Sequence, residues 1–188
     1  MSLTPEQQDF LLKAAQASVE SERETGCPGE ISLSQSIFES GWGKHMPGNN
    51  CFGIKIHGDW EAQYLPTTEW FNDAQCAAFL AKDNQRTAKL RELVQQNGDR
   101  KLYDCTDAFS AYPTMADCFS DHARLIQNGV YASAWQKYQQ DRDLDSYIAG
   151  ISAHYATAPG YSKQITDEAH SGTVQRALQA ARQGGNVT

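Results

Sequence analysis

The sequence predicts an α+β domain, mainly α, in which two helical stretches flank a small antiparallel β-ribbon. Three observations carry this. A capped, helix-periodic run opens the chain, the stretch from about residue 50 to 111 is rich in β-branched and aromatic residues punctuated by glycines, and helical periodicity returns at Thr114. At 188 residues the chain fits one compact unit. A cleft is expected where the helical and extended parts meet.

The first helix is set by its ends. In "TPEQQDFLLKAAQASVESERETG", Thr4 is the N-cap, Pro5 takes the first helical position, Gln7 completes a capping box and Gly26 stops the run. A shorter second helix spans about Ser32 to Ser40, because the following "GWG" offers two glycines that leave helical dihedrals at little cost. "NNCFGIKIHGDW" and "AQYLPTTEWFND", broken at Gly58-Asp59, read as the two strands of the ribbon.

"QRTAKLRELVQQNG" places Leu90, Leu93 and Val94 at helical spacing with Gly98 as a stop, and "KLYDCTDAFSAYP" reads as extended. From Thr114, capped with Asp117, Met115, Phe119, Ala123 and Ile126 form one stripe ending before Gly129. Further helices are expected around Ala132 to Tyr138, Leu144 to His154 and Ser162 to Arg182, with a frayed tail over 183 to 188.

Composition narrows the function classes. A formal charge of −7 with scattered Lys and Arg argues against a nucleic-acid partner. No apolar run approaches the roughly 20 residues of a membrane span, and the N-terminus lacks signal-peptide features, so the chain is read as made without a signal or with it removed. The five histidines show no close ligand spacing, so neither a metal nor another cofactor is expected, and all five are read as exposed or hydrogen-bonded ordinary side chains. Five cysteines form no CxxC pair, and the odd number leaves at least one thiol free in a monomer, the expected state.

In "SIFESGWGKHMPGNNCFGIK" a single acid, Glu39, ends an apolar run. At about 100° per residue, Ile31, Leu33, Ser34, Ile37 and Phe38 fall in one arc, while Gln35 and Glu39 project outside it. A carboxyl bordering an apolar face, dried by neighbours such as Trp42 and Phe52, gains the raised pKa a general acid needs. From local patterning alone, a solvated glutamate on a helix surface is the commoner case, and periodicity does not settle it.

The surrounding string moves the balance. "SQSIFESGWGKHMPGNNCFGIK" resembles the signature of the glucosaminidase family of bacterial peptidoglycan hydrolases, whose members include autolysins, phage endolysins and the flagellar-rod muralytic domain. "LPTTEW", "FSAYPTMADCFSDHARLI" and "ISAHYATAPGYSKQI" resemble its later stretches in the same order, so the likeness covers about residues 26 to 170. It implies a lysozyme-like, two-lobed helical domain with the β-ribbon beside the cleft.

Residue by residue, the resemblance makes Glu39 the general acid and Glu69 of "TTEW" the second acid, which activates a water or stabilises an oxocarbenium-like transition state. An acetamide-assisted route on the substrate stays open, and under it Glu69 matters less. Tyr155 matches a family tyrosine near the acid, and Tyr161 matches the second tyrosine of that motif, in a more structural place. Trp42, Phe52, Trp60 and Trp70 are candidates for sugar stacking, and Asn49 and Asn50 for hydrogen bonds to sugar amides or for turn chemistry.

Departures from the family pattern are an insertion over about residues 74 to 105, flanked by Cys76 and Cys105 as a conceivable staple, Cys51 at an aliphatic place, and Ala158 and Gly160 in the last motif. The implied activity is hydrolysis of the β-1,4 bond after N-acetylglucosamine in peptidoglycan glycan strands, in the bacterial cell envelope. A muramidase or lytic transglycosylase on the same scaffold, or a non-catalytic wall-binding or assembly module, are the alternatives.

Overall fold

The computed structural model describes residues 3–81, 90–155 and 160–184. The chain forms two compact units, Met1–Gly53 with Tyr112–Thr188, and Ile54–Ala111.

The first unit is helical. Helix α1 (Pro5–Thr25) has the expected capping box between Thr4 and Gln7 and ends at Gly26 in the left-handed conformation, φ 76°. Helix α2 (Gly29–Glu39) starts three residues earlier than its sequence pattern indicates. Its N-terminal amide, on Gly29, donates to the Glu22 carboxylate at 3.4 Å, a substitute for the side-chain cap that Pro28 cannot supply. α2 is buried almost all round despite its serines. The Ser34, Ser36 and Ser40 hydroxyls each donate to a carbonyl three or four residues back, which removes the cost of burying them.

The remaining helices of this unit are α4 (Met115–Ile126), α5 (Ala132–Asp141), α6 (Leu144–Tyr155), α7 (Tyr161–Ala169) and α8 (Gly172–Arg182). Thr114 and Asp117 cap α4 as expected. The single helix expected over Ser162 to Arg182 is two, because the Ser171 hydroxyl caps Val174 and starts α8 afresh. Arg182 ties α8 to α1 and α2 through Glu22 at 2.9 Å and Glu30 at 3.0 Å. The core gathers Ile31, Ile126, Tyr147, Ile148, Ile151 and Ile165, each worth about 1.5–3 kcal/mol on full burial for the aliphatic members.

His122 corrects the reading of the histidines. It lies on the buried face of α4, fully enclosed, stacked on Phe52 at 3.8 Å between ring centroids. Neither ring nitrogen has a hydrogen-bond partner, and burial pushes its pKa down to about 3, so it packs as a neutral ring.

The second unit is a three-stranded antiparallel sheet in the order β1-β3-β2, with β1 (Glu61–Phe71), β2 (Arg91–Asn97) and β3 (Arg100–Ala111). β3 is central: β1 covers it along one side, while on the other β2 pairs with Arg100 to Asp104 and Ile54 and Ile56 bond to Ser110 and Ala108. The expected ribbon between "NNCFGIKIHGDW" and "AQYLPTTEWFND" is therefore not formed. Gly53 and Gly58, with φ of 64° and 56°, interrupt the first segment, and β1 pairs with β3 instead.

The helix expected over residues 85 to 98 is likewise overturned in its described part. Residues 82–89 lie outside the described residues, and Arg91–Asn97 is a strand turning back at Gly98. Spacings of three and four residues fit either structure when the segment is short, and pairing with β3 decides. Helix α3 (Asp73–Leu80), with an Asn72–Gln75 capping box, follows β1 directly and packs Phe79 on Phe71, with ring centroids 5.0 Å apart. Cys76 and Cys105 are both free thiols, as are the other three cysteines.

Candidate active site

Glu39 is the last residue of α2, half-buried, and the chain leaves it through three successive left-handed residues, Gly41, Trp42 and Gly43, with φ of 57°, 63° and 78°. Gly43 has no alternative, since a Cβ there would stand 2.4 Å from the Phe10 ring of α1. Trp42, a bulky residue in a conformation that favours glycine, is held by its amide donating to the Ile37 carbonyl at 3.0 Å. Glu39 is thus fixed by the helix before it and the wedged turn after it.

The carboxyl meets a tyrosine. The Tyr161 hydroxyl, at the start of α7, donates to Glu39 Oε1 at 2.7 Å, and the Gln35 amide nitrogen, one turn back on α2, donates to the Tyr161 oxygen at 2.9 Å. Burial raises the Glu39 pKa above the ordinary carboxylate value, and the Tyr161 bond works against that rise. Burial also pushes the Tyr161 and Tyr155 hydroxyls upward, helped by the nearby Glu39 charge, so both stay neutral donors.

Tyr155, at the end of α6, lies parallel to Tyr161 with centroids 6.0 Å apart and reaches the Phe52 carbonyl at 3.5 Å. The bond to the acid comes from Tyr161, the tyrosine expected in a more structural place. Tyr161 touches the acid, and Tyr155 backs it.

Phe52 is buried and stacked on His122, leaving no face for a sugar. Asn50 is buried too, and its side-chain oxygen accepts from the Phe52 amide at 3.4 Å, while the Asn49 side-chain amide donates to the carbonyls of Tyr112 and Pro113, tying this turn to the segment that leads into α4. The helical wheel also misplaces two residues: Gln35 is buried, and Phe38 is 48% exposed. Phe38 packs edge-on against Tyr161, and with Ile37, Trp42, Gln164, Asp167 and Glu168 it lines a groove of about 500 Å³. An exposed aromatic beside carboxylates and an amide is chemistry that suits a sugar ring.

In the sheet unit, Glu69 lies on β1 opposite Tyr103. Lys55 Nζ contacts Glu69 Oε1 at 2.5 Å and Asp107 Oδ2 at 2.9 Å, and stands 4.0 Å from the Phe109 ring centroid. Lys55 and Asp107 were not anticipated; a basic residue two positions after Gly53 carried no periodic signal. Trp70 is the neighbour of Glu69 on the same strand, and alternation sends it to the opposite face of the sheet. Among the described residues no group of three or more His, Cys, Asp and Glu side chains is placed to hold a metal ion, and no helix is long and apolar enough to cross a membrane.

Comparison with known proteins agrees with this architecture. The catalytic domain of the autolysin Auto from Listeria monocytogenes superposes with a TM-score of 0.66 at 19% identity, over 93% of this chain and 89% of that one. A peptidoglycan hydrolase mutant from Sphingomonas sp. A1 gives 0.61 at 20%, over 92% and 98%. A C-terminally truncated glycoside hydrolase domain of Salmonella typhimurium FlgJ gives 0.56 at 21%, over 87% and 95%. The fold is accordingly the mainly helical, lysozyme-like α+β class expected from the sequence.

In sequence, an N-acetylmuramoyl-L-alanine amidase domain-containing protein of Staphylococcus aureus is 28% identical over 148 residues. The match takes in 72% of this chain but spans 19% of that relative's length. The family model for glucosaminidase, described as mannosyl-glycoprotein endo-beta-N-acetylglucosaminidase, matches residues 15–171. With most of its length matched by that model, the chain belongs to the glucosaminidase family.

Proposed function

We propose that this chain is a peptidoglycan hydrolase of the bacterial cell envelope that cleaves β-1,4 bonds of glycan strands as an endo-β-N-acetylglucosaminidase, with Glu39 as general acid. The observation that carries the reading is the Glu39 carboxyl itself. It is half-buried at a fixed helix end, its pKa lies above the usual value, and it bonds to a neutral tyrosine. A carboxyl that keeps its proton toward neutral pH can deliver it to a leaving glycosidic oxygen, and the bond to the anomeric carbon then breaks with oxocarbenium character.

Glu69 is proposed as the second acid, with Lys55 and Asp107 fixing its position. Its work is to activate a water or steady the positive charge on the ring. Phe38 and Trp42 supply aromatic faces for the strand, and Tyr155 supports Tyr161 from behind.

The test is digestion of purified peptidoglycan followed by mass spectrometry of the products. Reducing N-acetylglucosamine ends are expected, and their loss in Glu39→Gln. Reducing or anhydro N-acetylmuramic acid ends would mark a muramidase or transglycosylase instead, a new free amine without a new reducing end would mark an amidase, and glycan binding without cleavage would mark a wall-binding module.

A further inference from the structure

Gln35 is fully buried, its amide nitrogen donates to Tyr161, and its carbonyl oxygen Oε1 has no hydrogen-bond partner. An orphaned amide oxygen in a core is costly, and an apolar residue of the same shape would avoid that cost. Gln35 stands one helical turn before Glu39, so both reach the same phenol from one helix face.

We propose that Gln35 is a positioning residue for the Glu39 carboxyl, acting through the Tyr161 hydroxyl in a hydrogen-bond relay whose direction reverses with the protonation of Glu39. The inference rests on the reading of Glu39 as the general acid.

The chemistry follows from the donors and acceptors each group owns. When Glu39 is ionised it can only accept, so the Tyr161 hydroxyl must donate to it, and the phenol oxygen is free to accept from the Gln35 NH₂, the arrangement seen. When Glu39 is protonated its own O–H donates to the Tyr161 oxygen. The Tyr161 proton then turns toward Gln35, and a half-turn of the amide presents Oε1 to receive it. The orphan of the first state is the acceptor of the second. The two states differ by the one proton that Glu39 exchanges with substrate or solvent; Tyr161 and Gln35 keep their own protons and only turn them, so both states of an acid that must lose and regain a proton in each cycle keep the carboxyl in one place. A glutamine supplies donor and acceptor on a single planar group; methionine supplies neither, and glutamate only acceptors when ionised.

Among the described residues, Tyr161 of α7 and Tyr155 of α6 are electrostatically coupled to Glu39, and burial keeps both neutral through the range of interest. The other charged side chains along α7 are Lys163, which pairs with Asp167, and Glu168, which accepts from Ser171.

The experiment is a pH titration by NMR of the full chain, following the Glu39 side-chain carboxyl carbon and the Gln35 side-chain NH₂ together. The Gln35 signals are expected to titrate with the midpoint of Glu39, and to lose that step in Tyr161→Phe while Glu39 still titrates. If Tyr161→Phe does not fold, Glu39→Gln, which removes the titrating group, must abolish the Gln35 step. In kinetics, Gln35→Met is expected to lower kcat about ten-fold with KM little changed. A Gln35 amide that does not follow Glu39, or that follows it equally in Tyr161→Phe through the field alone, overturns the relay. The titration needs no turnover, so it is decided separately from whether the chain cleaves glycan.

Discussion

The Tyr161 hydroxyl and the Glu39 carboxylate, 122 residues apart in the chain, meet at 2.7 Å. Burial raises the Glu39 pKa and this bond lowers it, so Tyr161→Phe leaves burial unopposed and Glu39 keeps its proton to higher pH. If Glu39 is the general acid proposed above, it works protonated, so the alkaline limb of the pH–rate profile moves upward, while kcat at the optimum falls roughly ten-fold as the carboxyl loses its tether. A profile of wall hydrolysis for both proteins checks the shift; a limb that moves to lower pH contradicts it.

Glu39 also bears on stability. Its folded pKa exceeds the unfolded value of about 4.3, so the folded state holds the extra proton and stability falls as pH climbs from the unfolded pKa through the folded one. Glu39→Gln stays neutral throughout. Calorimetry should therefore show Glu39→Gln melting higher than the parent at pH 7, with the gap closing toward pH 4. Equal gaps at both values would mean that ionisation of Glu39 is not the cause.

Gly43→Ala combines a φ of 78° with a Cβ 2.4 Å from the Phe10 ring. We expect a loss of about 2–4 kcal/mol, read as a lower urea midpoint. Activity should drop further than stability alone explains, because the turn that anchors Glu39 shifts with it.

Lys55→Met removes the cation shared by Glu69 and Asp107, of which Asp107 is nearly buried. Two carboxylates left without it should loosen the sheet unit by about 1–3 kcal/mol, measured as faster cleavage between residues 54 and 111 in limited proteolysis. Glu69→Gln is the companion measurement: a fall in kcat of roughly a hundred-fold or more marks Glu69 as the second acid, and near-normal turnover hands that task to the substrate acetamide.

Phe38→Ala should raise KM several-fold with little change in melting temperature, since a side chain 48% exposed contributes little to the core. Unchanged KM would remove the α2–α7 groove from the substrate path.

How much of this was legible depends on range. Thr4, Gly26 and Thr114 act within one helical turn, and the ends they set agree with the sequence to the residue. β2 was misread because Leu90, Leu93 and Val94 satisfy a helical spacing over too few residues to exclude a strand, and only Arg100–Ala111 supplies the partner that decides. The Ser171 break does have a sequence signal, a serine followed by glycine inside a long helical pattern. At the candidate site, the string around Glu39 marks it, and Gln35, four residues before it, shares its helix face by spacing alone. That the bond to Glu39 comes from Tyr161 has no signal in the sequence, since it depends on where α6 ends and α7 begins in space. Lys55 was hidden for the same reason, its partners lying 14 and 52 residues away along the chain.

β1 carries Pro66 near its middle, paired across to Thr106 on β3. An eleven-residue strand at the margin of a sheet offers a row of unused amides to any passing chain. Pro66 has no amide to offer, and it breaks that row into two stretches, each too short to seed a stable foreign strand. This guards the strand's margin against edge-to-edge clumping, and Pro66→Val should be felt first as lost solubility.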